Sequence, residues 1–172
     1  SGSVADNVGR GSGVIAAAGG GGVVAQIVRT DYKTETSSTS AGWTGRDTAI
    51  PTTSVGIEVF SATITPQSTS NILLIEVHLT TRGSGDGIQI YGGVWRDSET
   101  NALASTGEWI DSTDPQPMYF AHSETAPSTS SQEYKVRVGY GNGSTVYINC
   151  QSSGSFQGAA ATSGITITEY TP

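Results

Sequence analysis

The chain has few of the residues that cross-link a protein or bind metals. Its 172 residues include one cysteine and two histidines, and only 13% are charged. Cys150 cannot form a disulfide within the chain, and the apolar alternation Val146, Ile148, Cys150 predicts a small buried side chain there. Two isolated histidines and a distant cysteine do not make a transition-metal site. We therefore expect neither a metal nor a cofactor.

Basic residues are scarce and scattered. The chain has eight Lys and Arg against 15 Asp and Glu, which gives a formal net charge of −7. Nucleic acids and anionic membranes both require clustered basic side chains, so neither is an expected partner. The apolar run of residues 14–28 contains four consecutive glycines and is shorter than the ~20 residues of a membrane span. A neutral glycan or a protein surface remains as the partner class.

Catalytic motifs are also missing. The chain has no Gly-x-Ser-x-Gly element. Glu108, Asp111 and Asp114 lie around Trp109, and a glycosidase needs two carboxylates across one bond, so this loop is the enzymatic alternative. Exposed acids are common on protein surfaces, which favours a non-enzymatic domain. Asp86 could bind Ca²⁺ only together with a second carboxylate, because one carboxylate is not a calcium motif.

What the chain does have is an alternation of apolar and polar residues with a period of two. Side chains alternate across a strand, so this pattern predicts one buried and one wet face. Glu76 and His78 fall on a predicted wet face. Residues 57–65 and 72–82, joined by a polar connector, are predicted to form an antiparallel pair with these buried residues: Phe60, Ala62, Ile64, Leu73, Ile75, Val77 and Leu79.

The same pattern along the chain predicts an all-β fold, an antiparallel β-sandwich or jelly roll of nine or ten strands without a helix. Residues 23–172 are predicted to form this single domain. Residues 1–22 are rich in glycine and are predicted to be a flexible lead-in or stalk junction. Because the chain starts Ser1-Gly2-Ser3 without an initiator Met, we expect the parent protein to extend upstream.

Several local features carry their own expectations. Gly92-Gly93 predicts a β-bulge, and residues 97–117 are predicted to be mostly loop, followed by a short strand at 118–122.

Residues 132–140 and 145–150 predict a hairpin. A three-residue loop, Gly141-Asn142-Gly143, pairs Val138 with Val146 and matches the apolar faces, whereas a two-residue loop does not.

Large aromatic side chains are the candidate ligand-binding residues. Exposed Trp and Tyr rings are apolar surfaces with a polar tip, which suits stacking on sugar rings beside Ser, Thr and Asn hydroxyls and amides. The alternative is that they fill the core or a subunit interface, and Phe120 belongs to the same group. The predicted ligand-binding residues are Trp43, Tyr91, Trp95, Trp109 and Tyr119.

One segment resembles a known family. Residues 61–77 read SATITPQSTSNILLIEV, and in bacteriophage fibre and tail proteins a strand ending in ATITP leads through Ser, Thr and Asn into KILI-V. Residues 23–30 resemble the opening strand of those proteins. Residues 91–97, YGGVWRD, resemble their strand with a short L-R-D turn. The resemblance covers roughly residues 23–97.

This resemblance implies a β-sandwich head domain of a tail fibre or tailspike, assembled as a homotrimer in the virion. Such a domain binds a host cell-surface glycan or protein without chemistry. Asn71 stands where the family usually has Lys, and residues 43–51 have no clear match, so no functional residue is transferred. The alternative is a carbohydrate-binding module attached to a polysaccharide-depolymerising tailspike with an upstream catalytic domain.

Overall fold

The chain forms an all-β domain in the computed structural model, which describes residues 22–43, 49–85, 87–110, 114–142 and 145–172. Among these residues no helix has the length and apolar character needed to cross a membrane. A single 3₁₀ turn covers Phe156–Ala159. The strands are β1 (Val23–Tyr32), β2 (Thr36–Ser38), β3 (Ile57–Ile64), β4 (Ile72–Gly83), β5 (Ile88–Arg96), β6 (Ala104–Ile110), β7 (Gln116–Thr125), β8 (Gln132–Tyr140), β9 (Val146–Ile148), β10 (Cys150–Gln151), β11 (Gly154–Ser155) and β12 (Ser163–Thr171).

Eight long strands form two antiparallel sheets that face each other. A six-stranded sheet contains the order β1-β12-β4-β7, with short β9 and β2 continuing beside β4 beyond β12. A four-stranded sheet has the order β3-β8-β5-β6. From β3 to β5 each strand lies in the opposite sheet from the one before it, which is typical of a jelly roll. The predicted fold class is confirmed; of the predicted lead-in, only Gly22 lies among the described residues.

The core lies between the sheets and follows the predicted alternation. β4 has neighbours on both edges, and its inward residues are almost completely excluded from solvent. Burying one aliphatic side chain of this size stabilises a fold by roughly 1.5–3 kcal/mol. The wet face is also confirmed, because Glu76 and His78 are partly exposed. The predicted core residues that are buried are Phe60, Ala62, Ile64, Leu73, Ile75, Val77 and Leu79.

Two predicted strand pairings are wrong, because the chain crosses between the sheets at those points. β3 pairs with β8, whereas β4 pairs with β7, β9 and β12, so the connector 65–71 spans the sandwich. β8 and β9 likewise lie in different sheets, and Val138 and Val146 enter the core from opposite sides. Gly143 of the predicted loop lies outside the described residues. Alternation identifies the buried face of a strand, but it does not identify the sheet.

The predicted bulge at Gly92-Gly93 is also wrong. Both residues keep regular register with β6 and β8. The glycines are needed because both faces of β5 are covered here. A Cβ at Gly92 would lie 2.8 Å from Leu79 Cδ1, and one at Gly93 would lie 2.9 Å from the Trp95 ring.

The segment predicted to be loop, residues 97–117, contains the whole of β6. The short strand predicted at 118–122 is in fact the ten-residue β7. Ser, Thr and Gly residues in β6 weaken the alternation of apolar and polar residues by which a strand is predicted. The segment forms a strand because it pairs with β5. β6 borders the candidate site.

Candidate ligand-binding groove

Three of the predicted aromatic residues lie together on the outer face of the four-stranded sheet. The ring centroids of Trp95 and Trp43 are 5.8 Å apart, and those of Trp43 and Tyr91 are 5.7 Å apart. Trp95 and Trp43 are 1% and 3% exposed, whereas Tyr91 is partly exposed. The three rings form a row, which we call the aromatic ladder, and their exposure to solvent increases from Trp95 through Trp43 to Tyr91.

The loop that leads into β3 covers the two tryptophans. The Arg137 guanidinium lies 5.9 Å from the centroid of the Trp95 ring, a cation–π distance. It also donates hydrogen bonds to the carbonyl oxygens of Val55 and Gly56, at 3.0 and 2.9 Å. The Trp95 indole donates to the carbonyl oxygen of Thr100 at 3.1 Å. Arg137 therefore joins the outer face of the sheet to the loop above it.

Backbone hydrogen bonds hold the same loop against the segment before β6. The N–H of Thr53 donates to the carbonyl oxygen of Thr100 at 2.9 Å, and the N–H of Ala102 donates to that of Pro51 at 2.8 Å. A loop fixed in this way loses little conformational entropy when a ligand binds. It forms a preorganised wall.

A cleft of about 360 Å³ lies between this wall and strands β5 and β6. Its volume is that of a small-ligand site. The wall and β6 contribute hydroxyl groups, and those of Thr52 and Ser54 lie 2.7 Å apart. The described lining has no charged side chain, and it consists of Trp43, Ala49, Ile50, Pro51, Thr52, Ser54, Val55, Tyr91, Ser105, Thr106 and Gly107.

The Tyr91 ring lies over β6 because the residue opposite it is glycine. Tyr91 pairs with Gly107, and a Cβ at Gly107 would lie 2.5 Å from Cδ1 and Cε1 of the ring. On the other side, a Cβ at Gly141 would lie 2.8 Å from Cε2. The Tyr91 hydroxyl donates to Oε1 of Gln89 at 2.8 Å. Two glycines and one hydrogen bond thus set the orientation of the ring.

A second cleft, of about 230 Å³, lies beyond Tyr91. Trp109 borders it and is 48% exposed. Since Trp109 follows Gly107 by two residues on one strand, both positions share the outer face. We call the two clefts together the Tyr91 groove. The second cleft is lined by Gln89, Tyr91, Gly107, Glu108 and Trp109.

The remaining predicted aromatic residue lies elsewhere. Tyr119 is 62% exposed on the outer face of the six-stranded sheet. Its hydroxyl donates to Glu76 Oε1 at 2.6 Å, and this hydrogen bond to a carboxylate raises the pKa of Tyr119. Phe120 points the other way, into the core. The structure therefore groups Trp43, Tyr91 and Trp95, with Trp109 beside them, and separates Tyr119.

The ionisable candidates do not converge among the described residues. Glu108 and Asp114 are exposed, while Asp111 and Asp86 lie outside the described residues. No group of three or more His, Cys, Asp and Glu side chains in the described part of the chain is placed to hold a metal ion. Cys150 is 5% exposed, as predicted, and burial raises the pKa of its thiol.

The hydroxyl-bearing side of the groove is not predicted from the sequence. Ser105 falls in the segment predicted to be loop, so the sequence does not place its hydroxyl beside an aromatic residue. The available signal was the outward alternation Ser105, Gly107, Trp109. The pairing of β6 with β5 is what brings these positions beside Tyr91.

Comparisons with known proteins give no family. No protein-family model and no curated protein matches the chain. A chain in the structure of infectious bursal disease virus, Gx strain, is 14% identical with a TM-score of 0.46, over 86% of this chain and 37% of that chain. This domain thus spans little more than a third of the viral chain's length.

Two smaller domains have similar scores. The EclA C-terminal domain, described as a sugar-binding protein, is 14% identical with a TM-score of 0.38, over 73% of this chain and 76% of its own. The CBM36-1 domain of a multidomain xylanase from the hindgut metagenome of Trinervitermes trinervoides is 9% identical with a TM-score of 0.40, over 83% of this chain and 96% of its own. At these values the likeness concerns β architecture only.

Proposed function

We propose that this is a non-enzymatic binding domain that takes a neutral glycan in the Tyr91 groove. The observation that carries the proposal is the aromatic ladder, in which two buried tryptophan rings support an accessible tyrosine ring beside hydroxyl groups. Ligand sites combine apolar surface with a few placed polar groups. The C–H face of a sugar ring stacks on the aromatic surface while its hydroxyls pair with the rim.

The charge of the groove favours a neutral ligand. The described lining of its larger cleft has no charged side chain, so an ionic group there would lose hydration without gaining a partner. Glu108 borders the smaller cleft, and the chain as a whole carries a net charge of −7. Both repel a polyanionic chain.

The resemblance of residues 61–77 to phage fibre proteins supplies a setting for this binding. In a fibre or tail protein the groove would attach the virion to a glycan on the host cell surface. In the alternative setting, the same groove would hold a tailspike on the polysaccharide that an upstream domain depolymerises. The parent sequence separates the two settings, because a stalk upstream supports the first and a catalytic β-helix supports the second.

The test compares two aromatic residues on opposite outer faces. In affinity electrophoresis with soluble neutral polysaccharides, Tyr91→Ala should weaken binding about tenfold, which is ~1.4 kcal/mol. Tyr119→Ala, on the six-stranded sheet, should leave binding unchanged. Unaltered retention of the Tyr91 variant would contradict the proposal, and so would equal losses in both variants.

The homotrimer expected for a fibre head has separate support. Val24, Ile27 and Ile72 are 46%, 62% and 40% exposed. Val24 and Ile72 both pair with Tyr170, and a register shift after Val24 brings Ile27 onto the same outer face of the six-stranded sheet. Exposed apolar patches mark interaction sites. We propose that three copies pack through this apolar end, which leaves the Tyr91 groove on the opposite sheet accessible.

A further inference from the structure

We infer that the ligand is a linear polysaccharide held through the interior of its chain along β6, rather than a single terminal sugar. This inference rests on the proposed glycan-binding function and specifies the form of the glycan. The observation behind it is that the clefts on this face adjoin in a row that follows one strand.

A third cleft extends the Tyr91 groove at the end away from Trp109. Its volume is about 360 Å³, and it includes Ala102, Leu103 and Ala104. The residues that it shares with the larger cleft of the groove are Ala49, Ile50, Pro51 and Ser105. At the other side, the larger and smaller clefts share Tyr91 and Gly107. Each cleft therefore adjoins the next.

The row is long enough for several sugar units. It runs from Leu103 to Trp109, and a strand rises ~3.3 Å per residue, so its length is about 20 Å, enough for roughly three or four sugar rings. A site for one terminal sugar would need only one of the three clefts. The order of the clefts along β6 matches an extended chain.

The two accessible rings occupy different positions along this row. The Tyr91 ring lies over Gly107, and Trp109 follows two residues later on the same face. The backbone positions of Gly107 and Trp109 are ~7 Å apart along the strand, which is more than the width of one sugar ring. Tyr91 and Trp109 therefore stack on different sugar units of one chain.

Both ends of the row lie beside exposed side chains. Ala102, Leu103 and Ala104, which border only the third cleft, are partly exposed, and Trp109 at the other end is 48% exposed. A polysaccharide chain that enters at one end can leave at the other. This arrangement suits internal units, whose two neighbours must both be accommodated.

The experiment measures affinity against chain length. The intact domain is first tested by affinity electrophoresis with laminarin, xylan, galactomannan and dextran. Oligosaccharides of two to six units from the polymer that is retained are then titrated by calorimetry. Affinity should rise at least tenfold between two and four units and then level off. Trp109→Ala should reduce the affinity for the hexasaccharide about fivefold and that for the disaccharide by less than twofold.

The outcomes separate the inference from the proposed function. A disaccharide that binds as tightly as the hexasaccharide would overturn the interior-chain inference and leave glycan binding intact. Equal losses for both lengths in Trp109→Ala would also overturn it. Failure of all four polymers to be retained would overturn both. Tyr119→Ala is the control, since it removes an exposed ring of the other sheet and should change neither affinity.

Discussion

Gly107 is the residue on which the orientation of the Tyr91 ring depends. It faces the ring across the β5–β6 pair, and a Cβ there would lie 2.5 Å from two ring carbons. The glycine is itself exposed, so its lack of a side chain serves the ring rather than the core.

Gly107→Ala should therefore reduce ligand binding without loss of fold. The added methyl group must displace the Tyr91 ring, which we expect to lower polysaccharide affinity about tenfold, or ~1.4 kcal/mol. The free energy of unfolding should change by no more than about 0.5 kcal/mol, as for most surface substitutions. Calorimetric titration and urea denaturation measure the two quantities, and an unchanged affinity would show that the ring position is unimportant.

Gly56 has a structural role in the wall of the groove. Its φ is +61°, and a Cβ would lie 2.6 Å from the carbonyl oxygen of Val138. Gly158 has a similar φ of +65°, but a Cβ there would meet nothing within 4 Å. The two positions separate backbone strain from steric collision.

Gly56→Ala should destabilise the domain more than Gly158→Ala. A left-handed conformation costs a non-glycine residue roughly 1–2 kcal/mol, which is the whole effect expected at Gly158. At Gly56 the collision with the Val138 carbonyl adds to it, and we expect a total of about 3 kcal/mol. Urea denaturation of both variants tests the difference, and equal values would show that the loop moves away without cost.

At the scale of elements, Glu169 joins three parts of the fold. Its side chain at the end of β12 is fully buried. Its carboxylate accepts hydrogen bonds from the Gln26 amide of β1 at 2.5 Å, the Asn71 amide at 2.6 Å and the Gln67 N–H at 2.8 Å. Burial alone would raise the pKa of Glu169, but these donors and the Ser68 N–H outweigh it, so the pKa is lowered.

Protonation of Glu169 should consequently destabilise the domain in acid. Because folding lowers the pKa of this carboxyl, its contribution is complete at neutral pH. It begins to fall near the ordinary value of 4.5 and is lost as the pH drops through the folded-state pKa. Glu169→Gln places an amide against two amide donors, and we expect it to cost roughly 3 kcal/mol at pH 7. Urea midpoints between pH 7 and pH 3 should depend less on pH in this variant than in the unaltered protein.

The control for this experiment is an exposed glutamate of the four-stranded sheet. Glu58 lies on the outer face of β3. In Glu58→Gln the urea midpoint should depend on pH as it does in the unaltered protein. If the midpoint of the Glu169 variant shows that same pH dependence, other carboxylates determine the acid sensitivity.

At the scale of the whole molecule, the two outer faces differ in character. The four-stranded sheet carries the Tyr91 groove, and the six-stranded sheet carries the apolar end with Val24, Ile27 and Ile72. In the proposed trimer, this opposite placement leaves the proposed ligand site uncovered.

Ile27→Glu should abolish self-association. The charge would have to be buried in the apolar contact, which is unfavourable without a partner. Sedimentation velocity should give three times the chain mass for the unaltered protein and the monomer mass for this variant. Ile50→Glu, at an exposed isoleucine of the opposite face, should stay trimeric. A monomeric unaltered protein at high concentration would contradict the trimer proposal.

Local sequence pattern predicted which residues are buried better than which strands are neighbours. The alternation around Leu73 and Phe60 identified core faces correctly, because burial depends on the chain's own period. Pairing depends on where each connection leads, and the turn after Tyr140 enters the other sheet instead of reversing within one.

In the candidate site, too, the local sequence predicts some features and distant contacts determine the others. Tyr91 and Trp109 are predicted as ligand-binding residues because they are large and aromatic, and both lie at accessible positions in the structure. The sequence does not distinguish them from Trp95, because Trp95 is covered by a distant loop that Arg137 holds in place. Tertiary contacts of this kind leave no periodic signal.

The central position of β12 has a consequence for how the domain is made. This strand lies between β1 and β4 although it is synthesised after the other eleven strands described. The sheet cannot close on the ribosome until residues 163–171 have emerged. Pairings between distant parts of a chain make folding slow, on the order of milliseconds to seconds. Of the long strands described, only β5 and β6 pair with a neighbour in the sequence. The two strands that carry Tyr91 and Gly107 can therefore pair early, and insertion of β12 between β1 and β4 follows.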